Sequence, residues 1–100
     1  LSMFYGKCTV AKFSGVIGAE IAPVLDTCHE RLLLKGDCEI SDPAAELIAN
    51  SHVRLIGVES QSVGKADAPM SVHLVLLGKG IIPLEGLNLS AVEPGDYTLC

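Results

Sequence analysis

Ser71-Val72-His73-Leu74-Val75-Leu76-Leu77-Gly78 and, after Lys79-Gly80, Ile81-Ile82-Pro83-Leu84-Glu85-Gly86-Leu87-Asn88-Leu89 decide how this chain folds. The first run is too continuously apolar for its period to separate strand from helix. Gly78 and Gly80 suit a helix C-terminus, where the backbone turns left-handed. Ile81 to Leu84 is then a strand, and it delivers Glu85 at its C-terminal end. A carboxylate among apolar neighbours needs a cation, a strong donor or a route to water. His73 and Glu85 are of the types that bind Zn²⁺. Taken alone, such a pair is more often hydrogen-bonded or solvated.

Working outward, Val53 to Val58 is the clearest strand, β-branched and apolar, with Arg54 at its rim. Glu59-Ser60-Gln61-Ser62 follows at its C-terminal end, where open α/β sheets place ligands. Upstream, Asp42-Pro43 starts a helix to about Asn50: Asp caps free N–H groups and Pro fits the first turn. Ala45, Leu47, Ile48 and Ala49 are its expected buried side. Gly36 to Ile40 reads as a connector, and Leu32-Leu33-Leu34 as the heart of a buried strand from His29 to Lys35. Lys7 to Phe13 alternates as a strand does and Ser14-Gly15 breaks it; Ala19 to Asp26 is a short helix with Pro23 in its first turn. Val63 to Met70 is a polar loop. Pro94-Gly95-Asp96 is a turn before a last strand from Tyr97. Alternating short strands and helices predict a single α/β layered domain over residues 1–100.

The chain has 100 residues, 49% of them apolar, enough for one modest core. A net charge of −5 without a basic cluster argues against nucleic acid or an anionic membrane as partner. No apolar run approaches the roughly 18–20 residues needed to span a bilayer, and the N-terminus lacks signal-peptide features. Cys8, Cys28, Cys38 and Cys100 are irregularly spaced and read as reduced thiols in a cytoplasmic protein. Cys8 and Cys38 have no neighbouring histidine that would make a nucleophile. His29 and His52 lie in polar turns and receive no role.

From Asp42 to Leu99 the order of motifs is specific: Ala44-Ala45 in a helix, Val53 to Val58, the Glu59 to Ser62 loop, His73, Glu85-Gly86-Leu87, and Pro94-Gly95-Asp96-Tyr97. It resembles the C-terminal half of the cyclase-like metal-dependent hydrolases, the family of bacterial kynurenine formamidase and isatin hydrolase. Leu1 to Phe13 is similar, less distinctively, to the segment after that family's main motif. The resemblance favours a short helix carrying His73 and implies a swivelling β/β/α fold. It makes His73 and Glu85 ligands of a divalent metal, Zn²⁺ or Mn²⁺. It also implies hydrolysis of a carbon–nitrogen bond in an amide, N-formyl or cyclic amide substrate, as in an arylformamidase. Where the family commonly has Asp-Thr-x-Ser, this chain has Glu59 to Ser62. Glu59 is then a support for a metal-bound imidazole or a solvated carboxylate. Ser62 is a loop-structuring or substrate-side hydroxyl, since no Gly-x-Ser-x-Gly elbow surrounds it.

The family's H-x-G-T-H-x-D-x-P motif, which supplies the other ligands and the general acid/base, is absent from these residues. The expectation is therefore an incomplete domain holding part of a metal site and no catalytic residue of its own. The open sheet edge is to be met by an N-terminal half or by a homo-oligomer. An inactive binding module on the same fold, and a subunit completing a site on another chain, are the alternatives.

Overall fold

Leu32-Leu33-Leu34 and Leu55 to Val58 are continuous apolar runs because each lies in a strand buried on both faces. The computed structural model describes residues 6–60 and 69–99. Its elements are β1 (Gly6–Lys12), β2 (Gly15–Ile17), a 3₁₀ turn (Ala19–Ile21), α1 (Ala22–Thr27), β3 (Arg31–Lys35) and β4 (Cys38–Ile40). There follow α2 (Asp42–Ala49), β5 (Leu55–Val58), α3 (Pro69–Gly78), β6 (Ile82–Leu84) and β7 (Gly95–Leu99). One sheet has the order β6-β5-β3-β1-β7, and β2 pairs with β4 in a second, two-stranded sheet. The strands β1, β3, β5 and β6 are mutually parallel, and only β7 runs against its neighbour β1. The expected α/β layered fold is therefore the observed one. Among the described residues, no helix is long and apolar enough to cross a membrane.

The two faces of the large sheet are covered differently. On one, Leu32, Leu34, Ile56 and Val58 join Leu25 of α1, Ala44, Ala45 and Ile48 of α2, and Val72 and Leu76 of α3 in one buried cluster. On the other, Cys8, Val10, Leu33 and Leu55 are buried with Leu89, and Leu84, Leu87 and Val92 pack against them. That cover comes largely from the segment between β6 and β7. The register Val10–Leu33–Gly57–Leu84 runs straight across the four parallel strands. A Cβ built on Gly57 would lie 2.6 Å from Leu33 and 2.7 Å from Leu87. The missing side chain is thus the notch into which Leu87 settles.

Three expectations are corrected. Ser41, not Asp42, caps α2: its hydroxyl accepts from the Ala44 amide and donates to the Ile17 carbonyl at 2.6 Å. Asp42 instead opens the first turn, where its charge favours the helix dipole. Leu47 is 37% exposed, because the buried stripe is Ala44, Ala45, Ile48 and Ala49 and Leu47 lies off it. Gly15, read as a break, opens β2, and the connector from Gly36 to Ile40 contains β4; the two strands exist by pairing with each other. Three-residue strands are too short to show alternation in sequence.

Candidate metal centre

The helix α3 has little amphipathic pattern, yet its contacts select a face. Val72 and Leu76, one turn apart, are fully buried, while Leu74 and Leu77 are exposed. His73, beside Val72, is thereby set at the margin of the core. The helix ends in a Schellman motif: the Ile81 amide donates to the Leu76 carbonyl, and the Gly80 amide to that of Leu77. Gly80 has φ +74°, a backbone conformation that only glycine adopts cheaply. The two terminal residues of the motif, Leu76 and Ile81, are both buried. The chain is thus reversed directly into β6, whose end is followed by Glu85.

These elements bring His73 and Glu85 together. His73 Nε2 lies 2.8 Å from Glu85 Oε2, with the two side chains 19% and 29% exposed. That is a direct hydrogen-bond distance, shorter than the roughly 3.4 Å that separates two donor atoms of a tetrahedral zinc site. Neutral imidazole with carboxylate is nonetheless a donor set that zinc or manganese accepts. In donor type, though not in separation, the pair fits a divalent ion as two of its ligands. Among the described residues, no group of three or more His, Cys, Asp or Glu side chains is placed to hold a metal.

The loop carrying Glu85 is anchored to the ends of neighbouring strands. The Gly86 amide donates to the Ser60 carbonyl (2.8 Å) and the Leu87 amide to that of Val58 (3.0 Å). Gly86 has φ +73°, which lets the chain turn away immediately after Glu85. Lys35 Nζ reaches the Val92 carbonyl at 2.5 Å. Glu59 does not lie behind His73 as a carboxylate supporting the imidazole. Its Oε1 accepts from the Gly36 amide at 2.7 Å and its Oε2 from the Leu89 amide at 2.8 Å. The Leu89 and Gly36 amides, with nearby Lys35, hold the Glu59 carboxyl below the usual range, against a smaller opposing effect of desolvation. Nothing in the local sequence announced this bridge. The available signal was a charged residue directly after four buried strand residues, which demands donors close by.

Gly36, Asp37, Glu59 and Ser60 line a cleft of about 280 Å³ where β3 and β5 end. Ser62, the other residue expected near the site, lies outside the described residues. His29 and His52 are not drawn to this centre. His29 approaches Asp96 at 3.7 Å, and His52 Nε2 sits 2.6 Å from the Cys28 carbonyl oxygen. Cys8, Cys28 and Cys38 are free and buried, and desolvation pushes each thiol up, away from the reactive thiolate.

No protein-family model matches the chain. Individual relatives do. It is 35% identical over 77 residues to cyclase-like protein 1 of Arabidopsis thaliana, covering 70% of this chain and 30% of that protein. It is 39% identical over 61 residues to cyclase-like protein 3 of Oryza sativa, covering 60% and 23%. Against the kynurenine formamidase of Bordetella avium the identity is 44% over 55 residues, 54% of this chain and 26% of that one. Two solved structures share the fold over 98% of this chain. One is titled a potential metal-dependent hydrolase with cyclase activity (TM-score 0.85, 23% identity, 56% of its chain). The other is a predicted metal-dependent hydrolase from Bacillus stearothermophilus (TM-score 0.84, 24% identity, 55% of its chain). This chain thus spans less than a third of the matched curated relatives and just over half of the solved chains. The resemblance read from the motifs is a sequence relationship to the cyclase-like proteins and kynurenine formamidase, and the fold agrees with it.

Proposed function

We propose that this cyclase-like chain forms part of a metal-dependent hydrolase acting on a carbon–nitrogen bond of an amide, N-formyl or cyclic amide substrate. The observation that carries the reading is the hydrogen-bonded juxtaposition of His73 Nε2 and Glu85 Oε2 at 2.8 Å, at the end of an edge strand of a mostly parallel sheet. The relationship to kynurenine formamidase supports the bond type. His73 and Glu85 would hold a divalent ion, Zn²⁺ or Mn²⁺, at adjacent ligand positions. Such an ion polarises a carbonyl and makes bound water acidic near neutral pH. The protein's own part is positioning. Val72 and Leu76 lock the helix that presents the imidazole, and the Gly86 and Leu87 amides lock the turn that presents the carboxylate. The other ligands and the proton-transferring group implied by the resemblance belong to the H-x-G-T-H-x-D-x-P motif, which these residues lack. Another segment or chain must supply them.

The test is metal content together with hydrolysis of N-formyl and cyclic amides, in an assembly that contains both this chain and that motif. His73→Ala and Glu85→Ala should each lower bound metal and hydrolysis together, by at least about tenfold. Undiminished metal and turnover in either variant would remove the assignment. Metal bound normally without hydrolysis of any amide would reject the bond type alone.

A further inference from the structure

Three loops meet where β3, β5 and β6 end: the turn at Gly36, the segment Glu59-Ser60, and the segment from Glu85 to Leu89. The last segment is tied by two backbone hydrogen bonds, from the Gly86 amide to Ser60 and from the Leu87 amide to Val58 at the end of β5. The next link is different. The Leu89 amide is met by a side chain, Glu59 Oε2, whose other oxygen holds the amide of Gly36 on the far side. We propose that Glu59 is a positioning residue for Glu85: its carboxylate bridges the Gly36 and Leu89 amides and so fixes the loop that holds Glu85 against His73. This deepens the metal-centre reading and rests on it for its functional meaning.

The chemistry of the bridge requires a carboxylate. An ionised Glu accepts at both oxygens, whereas Gln of the same shape accepts at one and presents an NH₂ group at the other. In Glu59→Gln one backbone amide would face another donor, with the packing around it nearly unchanged. The carboxylate of Glu85 lies four residues before Leu89, on the far side of a left-handed glycine, in a stretch outside any helix or strand. Its direction therefore depends on where the loop is tied down. Leu87 and Leu89 pack against the sheet, but apolar contacts carry little directional information compared with two short hydrogen bonds to one fixed carboxylate. Binding sites lose affinity when their supporting contacts loosen by an ångström.

The experiment uses the full 100-residue chain, labelled with ¹⁵N, as wild type, Glu59→Gln, Glu85→Ala and the surface control Glu46→Gln. Hydrogen exchange of the Leu89 amide reports the bridge and the His73 ring ¹⁵N signals report the pair, while titration with Zn²⁺, made on the assembly that also carries the H-x-G-T-H-x-D-x-P motif, reports the ligands. In Glu59→Gln the Leu89 amide should exchange faster. The His73 signals should move toward those of Glu85→Ala, and Zn²⁺ should bind about tenfold more weakly. Glu46→Gln should match wild type. A Glu59→Gln protein that is folded, has lost Leu89 protection, and yet keeps wild-type His73 signals and zinc affinity overturns the proposal. Should Glu59→Gln not fold, Glu59→Asp takes its place with the same readouts. A carboxylate drawn back by one methylene must then loosen the Leu89 amide and the His73 signals together, and any other pattern overturns the proposal. Equal zinc affinity of wild type and Glu85→Ala in the assembly that also carries the H-x-G-T-H-x-D-x-P motif would instead sink the metal reading, while the His73 signals of the chain alone still decide whether Glu59 positions Glu85.

Discussion

The two faces of the five-stranded sheet solve the same problem by different means. The helix face is closed by interlocking side chains, with Ile48, Ile56, Val72 and Leu76 all fully buried. The loop face buries fewer residues and is held by individual hydrogen bonds, to Ser60, Val58, Glu59 and Lys35, and by the notch at Gly57. His73 belongs to the first and Glu85 to the second, so the candidate centre joins the two. The difference teaches a division of labour. Non-directional packing supplies stability, and directional bonds at the strand ends aim the carboxylate.

The comparison can be broken at its strongest point first. Ile48→Ala removes a fully buried side chain from the helix face and should cost about 3–4 kcal/mol, read as a lowered urea midpoint. A loss under about 1 kcal/mol would mean that the helix face is not the stabilising one. Gly57→Ala places a Cβ within 2.7 Å of Leu33 and Leu87 and should cost about 2 kcal/mol. Chemical-shift changes should concentrate in residues 84–92. Changes centred on α2 and α3 instead would show that Leu87 is not keyed to the notch. Gly86→Ala meets open space but a left-handed backbone, so its cost is about 1 kcal/mol of conformational strain, with the His73–Glu85 signals disturbed more than the melting temperature.

The smallest effect sharpens the role of charge on the loop face. Glu59 has its carboxyl held below the ordinary value by two amides, so ionised Glu59 favours the folded state. That contribution is complete above the ordinary glutamate value of about 4.3 and is lost as pH falls through the lowered one. Denaturation midpoints of wild type and Glu59→Gln should therefore differ at neutral pH and converge in acid. A constant gap across that range would assign the difference to shape and not to charge.

Much of this was legible in the chain. Leu32-Leu33-Leu34 and Val53 to Val58 announced buried strands, and Gly80 after an apolar run announced the helix end before β6. The two candidate ligands were legible by residue type. That their donor atoms lie 2.8 Å apart was not, because the distance depends on how α3 packs and how the Glu85 loop is tethered. The partners of Glu59 were not legible for the same reason. Its position after a buried strand was plain, but its partners, Gly36 and Leu89, lie 23 and 30 residues away.

Local sequence was enough for the strands β1, β3 and β5, the helix α2, the α/β class and the residue types at the centre. These follow from local composition, turn chemistry and the need to bury apolar runs. Only the tertiary structure decided that β2 pairs with β4, that β7 returns beside β1, and that Glu59 is a bridge between loops. Each of these is a hydrogen bond or ladder between residues far apart in the chain. Its partner is chosen by packing, which no local pattern encodes.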